Sequence, residues 1–212
     1  MNQPFSNAKK SGLNLSAFSL MVALSLVHMH AMGEADMHAH HRHMAESKKS
    51  LLRTVARYQV PELKLINREG QEKLLTALIN PKKPVMLNFI FTTCTAICPI
   101  MSASFAQVSK QLEKKNPALQ IISISVDPEQ DTPAKLKEYF KQFDAGSQWQ
   151  LLTGTLDNSI AAQKAFDSYR GDKMNHLPLT FMRAANSKKW LRIEGLASAS
   201  ELIDTLHGLP AK

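Results

Sequence analysis

The sequence predicts an α/β fold with a central mixed sheet and helices on both faces. Two continuous apolar runs, at 84–91 and 119–126, have the length and composition of strands that are buried on both faces of a sheet. Each run is followed by a segment with the apolar spacing of an amphipathic helix. Strands that alternate with helices in this way are typical of a sheet covered by helices.

The first predicted elements are a hairpin, a buried strand and a helix. Segments 63–66 and 72–75 flank Asn-Arg-Glu-Gly, which is a turn signal between two strands. The run 84–91 is the first buried strand. In the helix after it, apolar residues recur at helical spacing from Met101 until an Asn-Pro pair ends the pattern.

The second half of the chain repeats this order. After the strand 119–126, Thr132 caps a helix and Pro133 takes its first position, where a missing backbone N–H does no harm. The remaining predicted elements are a strand at 149–152, a helix at 158–169, strands at 179–182 and 190–194, and a last helix from the capping box Ser198–Glu201 to Gly208. These units, closed by a hairpin and a terminal helix, predict a thioredoxin-like fold.

The composition is that of an ordinary globular protein. The chain has 212 residues, of which 44% are hydrophobic, a net charge of +8 and two cysteines. A core of this size needs no disulfide staples, so the cysteines are free for chemistry. The basic residues are scattered in short pairs and form no single stripe, which argues against nucleic acid and favours acidic partners or an anionic membrane.

The N-terminal part of the chain lies outside the predicted domain. Two lysines precede an uncharged apolar stretch and small residues follow it near Gly33, so residues 1–33 are predicted to be a signal peptide or an uncleaved signal anchor. Residues 34–50 are predicted to be a flexible linker rich in His and Met. The folded domain is predicted to span 51–212, and the protein to be exported.

A tract around this linker carries most of the imidazoles. Six of the eight histidines lie between positions 28 and 43, interleaved with methionines. Imidazole and thioether are borderline to soft donors, so a flexible tract can collect copper ions without a preformed cage. The alternative is a solvated linker that binds no metal.

The two cysteines form the most informative motif. Cys94 and Cys98 lie in the turn from a strand into a helix, at the end of the strand where α/β sheets carry ligand sites. Pro99 must lie in the first helical turn, which places Cys98 near the N-cap. The helix dipole favours thiolates there, for nucleophilic attack or for binding a soft metal. A structural disulfide is the alternative, although closing so short a loop gains little entropy.

Two histidines lie outside the tract. His207 falls in the last turn of the terminal helix, where the helix dipole favours a cation, and a structural role is predicted for it. His176 lies just before the strand 179–182, in a loop that a thioredoxin-like sheet brings beside the cysteine turn. It is therefore the candidate third donor beside Cys94 and Cys98.

Three motifs in this order resemble the Sco/SenC family of copper chaperones. They are the cysteine motif at 93–99, the segment Ser-Val-Asp-Pro-Glu-Gln-Asp-Thr-Pro at 125–133, and His176 before a late strand. The resemblance runs from about Val60 to Leu209.

The resemblance implies a thioredoxin fold and copper, as Cu(I) or Cu(II), bound by Cys94, Cys98 and His176. It also implies a role in assembling the binuclear copper centre of cytochrome c oxidase or a related cuproprotein. The implied partners are the apo copper-centre subunit and a copper donor protein. The implied location is the bacterial periplasm, with the protein either soluble or tethered to the inner membrane by its N-terminal segment.

The chemistry of these donors agrees with copper. Two thiolates and one imidazole suit Cu(I) in trigonal geometry and also hold Cu(II), whereas structural zinc usually has four protein ligands. Met101 and Met174 are soft donors near the motifs, but core positions are predicted for both. The acids from Asp127 to Asp131 are predicted to serve the turn or a helix cap, and the alternative for Asp127, at the end of its strand, is to support a ligand.

Other functions remain open at this point. One is a thiol-disulfide oxidoreductase that reduces the cysteines of an apo-cuproprotein, with Cys94 and Cys98 as its redox pair. Another is a non-enzymatic copper buffer built on the His/Met tract. A peroxidase is disfavoured, because Phe91 stands where its motif would need Pro four residues before Thr95.

Overall fold

The structure, a computed structural model, describes residues 51–210, so the predicted segments 1–33 and 34–50 lie outside the described residues. Its strands are β1 (Leu52–Ala56), β2 (Lys64–Asn67), β3 (Glu72–Leu74), β4 (Val85–Ile90), β5 (Gln120–Ser125), β6 (Trp149–Thr153), β7 (Leu179–Arg183) and β8 (Trp190–Glu194). Its helices are α1 (Leu75–Leu78), α2 (Ile97–Leu112), α3 (Pro133–Lys141), α4 (Leu156–Ala165) and α5 (Ala199–Gly208), with a 3₁₀ turn at Lys173–Asn175. None of the helices within 51–210 has both the length and the apolar character that crossing a bilayer requires.

The strands join in one eight-stranded sheet with the order β1-β8-β7-β4-β5-β6-β2-β3. β4, β5 and β6 are parallel, and the strands on either side of them are added in antiparallel fashion. Every residue of β4 is buried, as its uninterrupted apolar run predicted. The mixed sheet with its helices confirms the predicted α/β class.

The predicted helices and strands are all present, with ends shifted by a few residues. The predicted helix 158–169 ends early, at Ala165, because Asp167 adopts a left-handed conformation with φ 52° that a helix cannot contain. The sequence did not predict β1, α1 or the 3₁₀ turn. β1 is an edge strand with no fully buried residue, so it lacks the alternation that marks a strand.

A buried arginine ties the end of β7 to the loop before β4. Arg183 is 6% exposed, and its Nη2 donates hydrogen bonds to the carbonyls of Ile79 and Asn80 at 2.7 and 2.8 Å. Its guanidinium carbon lies 4.7 Å from the ring centroid of Trp190. Carbonyl oxygens and an aromatic face therefore replace the water that this charge has lost.

Replacing this arginine should destabilise the fold. Arg183→Met leaves buried carbonyls without their donor, so we expect the free energy of unfolding to fall by about 2–3 kcal/mol. Urea unfolding of the full chain measures the change. Arg57→Met, at an exposed arginine, is the matched control and should stay within about 0.5 kcal/mol of wild type. Equal stability of the two variants would contradict the role given to Arg183.

Candidate metal centre

The cysteine turn begins where β4 leaves the sheet. The Phe91 carbonyl, one residue beyond β4, accepts a hydrogen bond from the Cys94 N–H at 3.2 Å. α2 has Ala96 as its N-cap, so Cys98 is the second helical residue. The predicted positions, Cys98 near the N-cap and Cys94 in the loop before it, are confirmed.

The Cys94 sulfur takes the place of a capping side chain. Ala96 has no side-chain oxygen to offer the open N–H groups of the first turn. The sulfur instead accepts a hydrogen bond from the Cys98 N–H at 3.5 Å. Burial alone would raise the pKa of Cys94, but backbone hydrogen bonds from Cys98, Ala96 and Ile97 and one from the Cys98 thiol together lower it below its ordinary value. Cys94 is therefore a half-exposed sulfur that readily becomes a thiolate.

Cys98 has the opposite character. Its side chain is 0% exposed, and this burial raises the pKa of its thiol well above the usual range. A backbone hydrogen bond from Phe91 opposes the rise and the neighbouring Cys94 sulfur adds to it. Both cysteines are free thiols in the structure. The pair thus combines an accessible sulfur that loses its proton easily with a buried one that keeps it.

His176 lies where the ladder between β4 and β7 ends. The last residue of β4 in that ladder is Asn88. The Ile90 carbonyl points towards β5, the other neighbour of β4, because it accepts a hydrogen bond from the residue that follows β5. Carbonyls alternate in direction along a strand, so the Phe89 carbonyl faces the β7 side beyond the last pair. The His176 ring forms a hydrogen bond with this backbone group.

His176 is a neutral imidazole with one free lone pair. Burial lowers the pKa of His176 to about 4, while the hydrogen bond with Phe89 acts in the opposite direction. A bond that favours protonation is one in which a ring N–H donates to the carbonyl. Nε2 is buried without a hydrogen-bond partner, which assigns that N–H to Nδ1. The free Nε2 lone pair, with the other nitrogen held by a backbone carbonyl, is the arrangement of a metal-binding histidine.

Phe91 contacts both the cysteine turn and the imidazole. Its backbone forms hydrogen bonds with both cysteines. Its ring meets the His176 ring edge to face, with the centroids 6.4 Å apart. The structure therefore places the predicted residues Cys94, Cys98 and His176 around one aromatic residue. Within the described part of the chain, no three His, Cys, Asp or Glu side chains are close enough together to form a metal cluster.

A buried carboxylate for which the sequence predicted a turn or capping role anchors the cysteine turn instead. Asp131 is 0% exposed and accepts hydrogen bonds from the Thr92 N–H at 3.1 Å and the Thr92 hydroxyl at 2.6 Å. The Ser125 hydroxyl donates a third, at 2.6 Å. Burial raises the pKa of Asp131, and these hydrogen bonds oppose the rise. The helix after Asp131 is capped by Thr132. Because Thr132 already supplies the cap, the neighbouring acid was not needed for capping, and this was the sequence signal that Asp131 has another partner.

The other candidates have simpler surroundings. Met101 is 3% exposed, which confirms its predicted core position, whereas Met174 is 74% exposed, so the core position predicted for it is wrong. The 3₁₀ turn that contains Met174 buries none of its residues, because it runs along the surface before β7 begins. His207 lies in the last turn of α5, as predicted.

The fold and the site together define a class of protein. A parallel β-α-β core, a pair of free thiols at a helix N-terminus and a neutral histidine before the next strand are the features of a dithiol protein with a thioredoxin-like fold. The family model described as SCO1/SenC matches residues 56–209. The chain belongs to the SCO1/SenC family, which confirms the resemblance found in its motifs.

Individual relatives agree with this assignment. The chain is 37% identical over 105 residues to the SCO1 protein homolog of Bacillus subtilis, across 49% of this chain and 53% of that protein. A SCO1/SenC family lipoprotein from Bacillus anthracis is 26% identical, with a TM-score of 0.62 over 74% of this chain and 98% of that structure. BsSco, described as a Sco family cytochrome c oxidase assembly protein with a disulfide switch, is 27% identical, with a TM-score of 0.61 over 74% and 95%. The alignments with this homolog and with two SCO2-like proteins, from Rickettsia felis and Rickettsia typhi, span about half to just under two thirds of the length of those proteins.

A solved structure with a bound metal shares the fold. Yeast Sco1 with copper bound has a TM-score of 0.58, over 71% of this chain and 87% of that structure, at 23% sequence identity. This likeness extends the thioredoxin-like fold of the family to a more distant relative.

Proposed function

We propose that the chain is a copper chaperone that holds copper with Cys94, Cys98 and His176 and delivers it to the binuclear copper centre of cytochrome c oxidase or a related cuproprotein. The observation that carries this proposal is the buried, unpartnered Nε2 of a neutral His176 beside a free dithiol turn. A buried polar nitrogen without a partner is costly, and a metal ion removes that cost.

The donor set favours copper as the cargo. Thiolate sulfur is a soft ligand that suits Cu(I), and the borderline imidazole adds affinity for Cu(II). His176 is already neutral at physiological pH, since its pKa is lowered to about 4, so few protons compete with the metal for it. Cys94 readily supplies the first thiolate, and the buried Cys98 gives up its proton when the metal binds.

Copper completes the site in this proposal. The cysteine turn and the His176 loop both contact Phe91, so a small movement of the two loops is expected to bring two sulfurs and one nitrogen onto one ion. Each thiol proton leaves as its sulfur binds. Release to an acceptor reverses the movement, which suits a cargo that must be handed on.

Two relatives support the proposed location and partners. One of them is a lipoprotein and another is a cytochrome c oxidase assembly protein. We propose that residues 1–33 export this chain to the bacterial periplasm, where it stays soluble or tethered to the inner membrane. Its partners there would be a copper donor protein and the apo copper-centre subunit.

A transfer experiment tests the proposal. The full chain loaded with one equivalent of copper is mixed with the apo copper-binding domain of the oxidase subunit. We expect the absorption of the binuclear centre to appear as copper leaves this chain. The matched control is the Cys94→Ser/Cys98→Ser chain loaded in the same way. Equal transfer by both proteins, or retention of copper by the wild type, would contradict the proposal.

A thiol-disulfide oxidoreductase is the second candidate function, and the contrast between the two cysteines favours it. The Cys94 thiolate would attack a disulfide of the apo-cuproprotein and form a mixed disulfide. Cys98 would then lose its proton and displace the substrate cysteine, so the substrate leaves reduced and Cys94 and Cys98 become the disulfide. In this reaction His176 has no obligatory role.

A further inference from the structure

An ion pair joins the His176 loop to the loop that follows β5. Lys173 Nζ lies 2.5 Å from a carboxylate oxygen of Asp127. Asp127 is only 8% exposed, so its charge is largely removed from water. Asp131, which is fully buried, also faces Asp127 and repels it. Lys173 is therefore the cation that compensates the buried negative charge of Asp127. The exposed ion pairs of the surface compensate no buried charge and contribute little.

Lys173 is linked to His176 through the backbone and through Phe91. The Lys173 carbonyl accepts a hydrogen bond from the His176 N–H at 3.1 Å. Asp172 fixes the same turn, because its side chain accepts from the Met174 N–H at 2.8 Å. The ammonium of Lys173 also lies 5.8 Å from the centroid of the Phe91 ring, against which the His176 ring packs. A shift of the lysine would therefore be passed to the imidazole.

The loop after β5, whose Asp127 pairs with Lys173, also forms hydrogen bonds with the cysteine turn. The Asp127 N–H donates to the Ser125 hydroxyl oxygen at 3.0 Å, and that hydroxyl donates to Asp131 at 2.6 Å. Asp131 in turn receives the hydrogen bonds of Thr92, two residues before Cys94. The segment Asp127 to Asp131 thus contacts the cysteine turn at one end and the His176 loop at the other.

We propose that Lys173 is a positioning residue that, through its ion pair with Asp127, sets the His176 imidazole relative to Cys94 and Cys98. The proposal rests on the proposed function, since it concerns the distance between the copper donors. Lys173 itself does not bind the metal. Its ion pair limits the freedom of a short surface turn whose three residues are otherwise not buried.

The test compares Lys173→Met, Lys173→Arg and the matched control Lys137→Met, at an exposed lysine of α3, in the full chain. Lys173→Met should weaken Cu(II) binding by roughly tenfold or more, as is usual when a group that orients a ligand is removed. Its Cu(II)–thiolate absorption should also shift, because the imidazole reaches the ion in a different geometry. Lys173→Arg keeps the charge and should restore both properties, and Lys137→Met should match wild type.

A second readout needs no metal. Diethylpyrocarbonate modifies neutral imidazoles, and peptide mass analysis reports His176 separately from the N-terminal histidines. The apo Lys173→Met protein should be modified at His176 several-fold faster than wild type, with Lys173→Arg at the wild-type rate. An Asp127→Asn/Lys173→Met double variant should be no worse than Lys173→Met alone, since the two residues act as one pair.

The outcomes separate this proposal from the proposed function. Wild-type protein that binds no copper through its cysteines would refute the proposed function, whatever the modification rates. Normal Cu(II) affinity and an unchanged His176 modification rate in Lys173→Met would overturn the positioning role and leave the chaperone function intact. The thermal midpoint of unfolding of Lys173→Met should be close to that of Lys173→Arg. If both variants unfold at a much lower temperature than wild type, the lysine supports the fold itself, and the positioning role is overturned.

Discussion

His176→Ala is expected to abolish Cu(II) binding at the dithiol site while leaving Cu(I) binding and dithiol chemistry largely intact. The imidazole is the only borderline donor in the proposed set, and two thiolates alone suit Cu(I) far better than Cu(II). Disulfide exchange depends on the thiolate character and the access of Cys94 and Cys98. Neither property draws on His176, because the bonds that lower the pKa of Cys94 come from the first turn of α2.

The measurement is a Cu(II) titration followed by the copper–thiolate absorption, together with a disulfide reduction assay on the same protein. His207→Ala, in the last turn of α5, is the matched control and should behave as wild type in both. In the host, the His176→Ala strain should fail to assemble its copper oxidase. Normal oxidase assembly in that strain would favour the reductase function, and unchanged Cu(II) spectra would remove His176 from the site.

Cys94→Ser/Cys98→Ser is expected to lose one copper per chain, with the loss greatest for Cu(I). A serine hydroxyl is a hard and weak donor at neutral pH, so the variant keeps the shape of the turn and loses both soft ligands. The N-terminal His/Met tract should still collect copper, with modest affinity for each ion, because it carries imidazoles and thioethers and no thiolate. The loss should therefore appear as the disappearance of the tightest site.

A competition titration with a Cu(I) chelator measures this loss, and deletion of residues 35–46 is its control. The deletion should leave the tight site in place and remove only weak binding. Full-strength, one-to-one binding by the double serine variant would refute a dithiol site. Loss of the tight site from the deletion variant would move copper binding to the tract and favour a copper buffer.

The strands that carry the site could be predicted from the sequence because their burial is complete. β4 and β5 are buried along almost their whole length, so hydrophobicity alone marks them. Pro133 and the capping Thr132 fixed the start of α3 for local reasons. The cysteine turn followed from the same logic, because Pro99 requires the first turn of a helix.

The contacts that tune the site could not be predicted in this way. The hydrogen bond between His176 and the Phe89 backbone depends on where the ladder between β4 and β7 ends, which is a property of register and not of composition. The ion pair of Lys173 with Asp127 joins residues far apart in sequence. Met174 was placed in the core on its hydrophobicity alone, but an apolar side chain on a surface turn is common and its exposure is set by the fold.

Two thiolate sulfurs and one imidazole nitrogen hold the copper in the proposed site. Copper K-edge X-ray absorption of the chain lacking residues 35–46, loaded with one equivalent of Cu(I), reports these ligands. We expect a three-coordinate spectrum with two sulfur neighbours and one nitrogen neighbour, and loss of the nitrogen shell in His176→Ala. A first shell of nitrogen and oxygen alone, or a spectrum that His176→Ala does not change, would contradict this set of ligands.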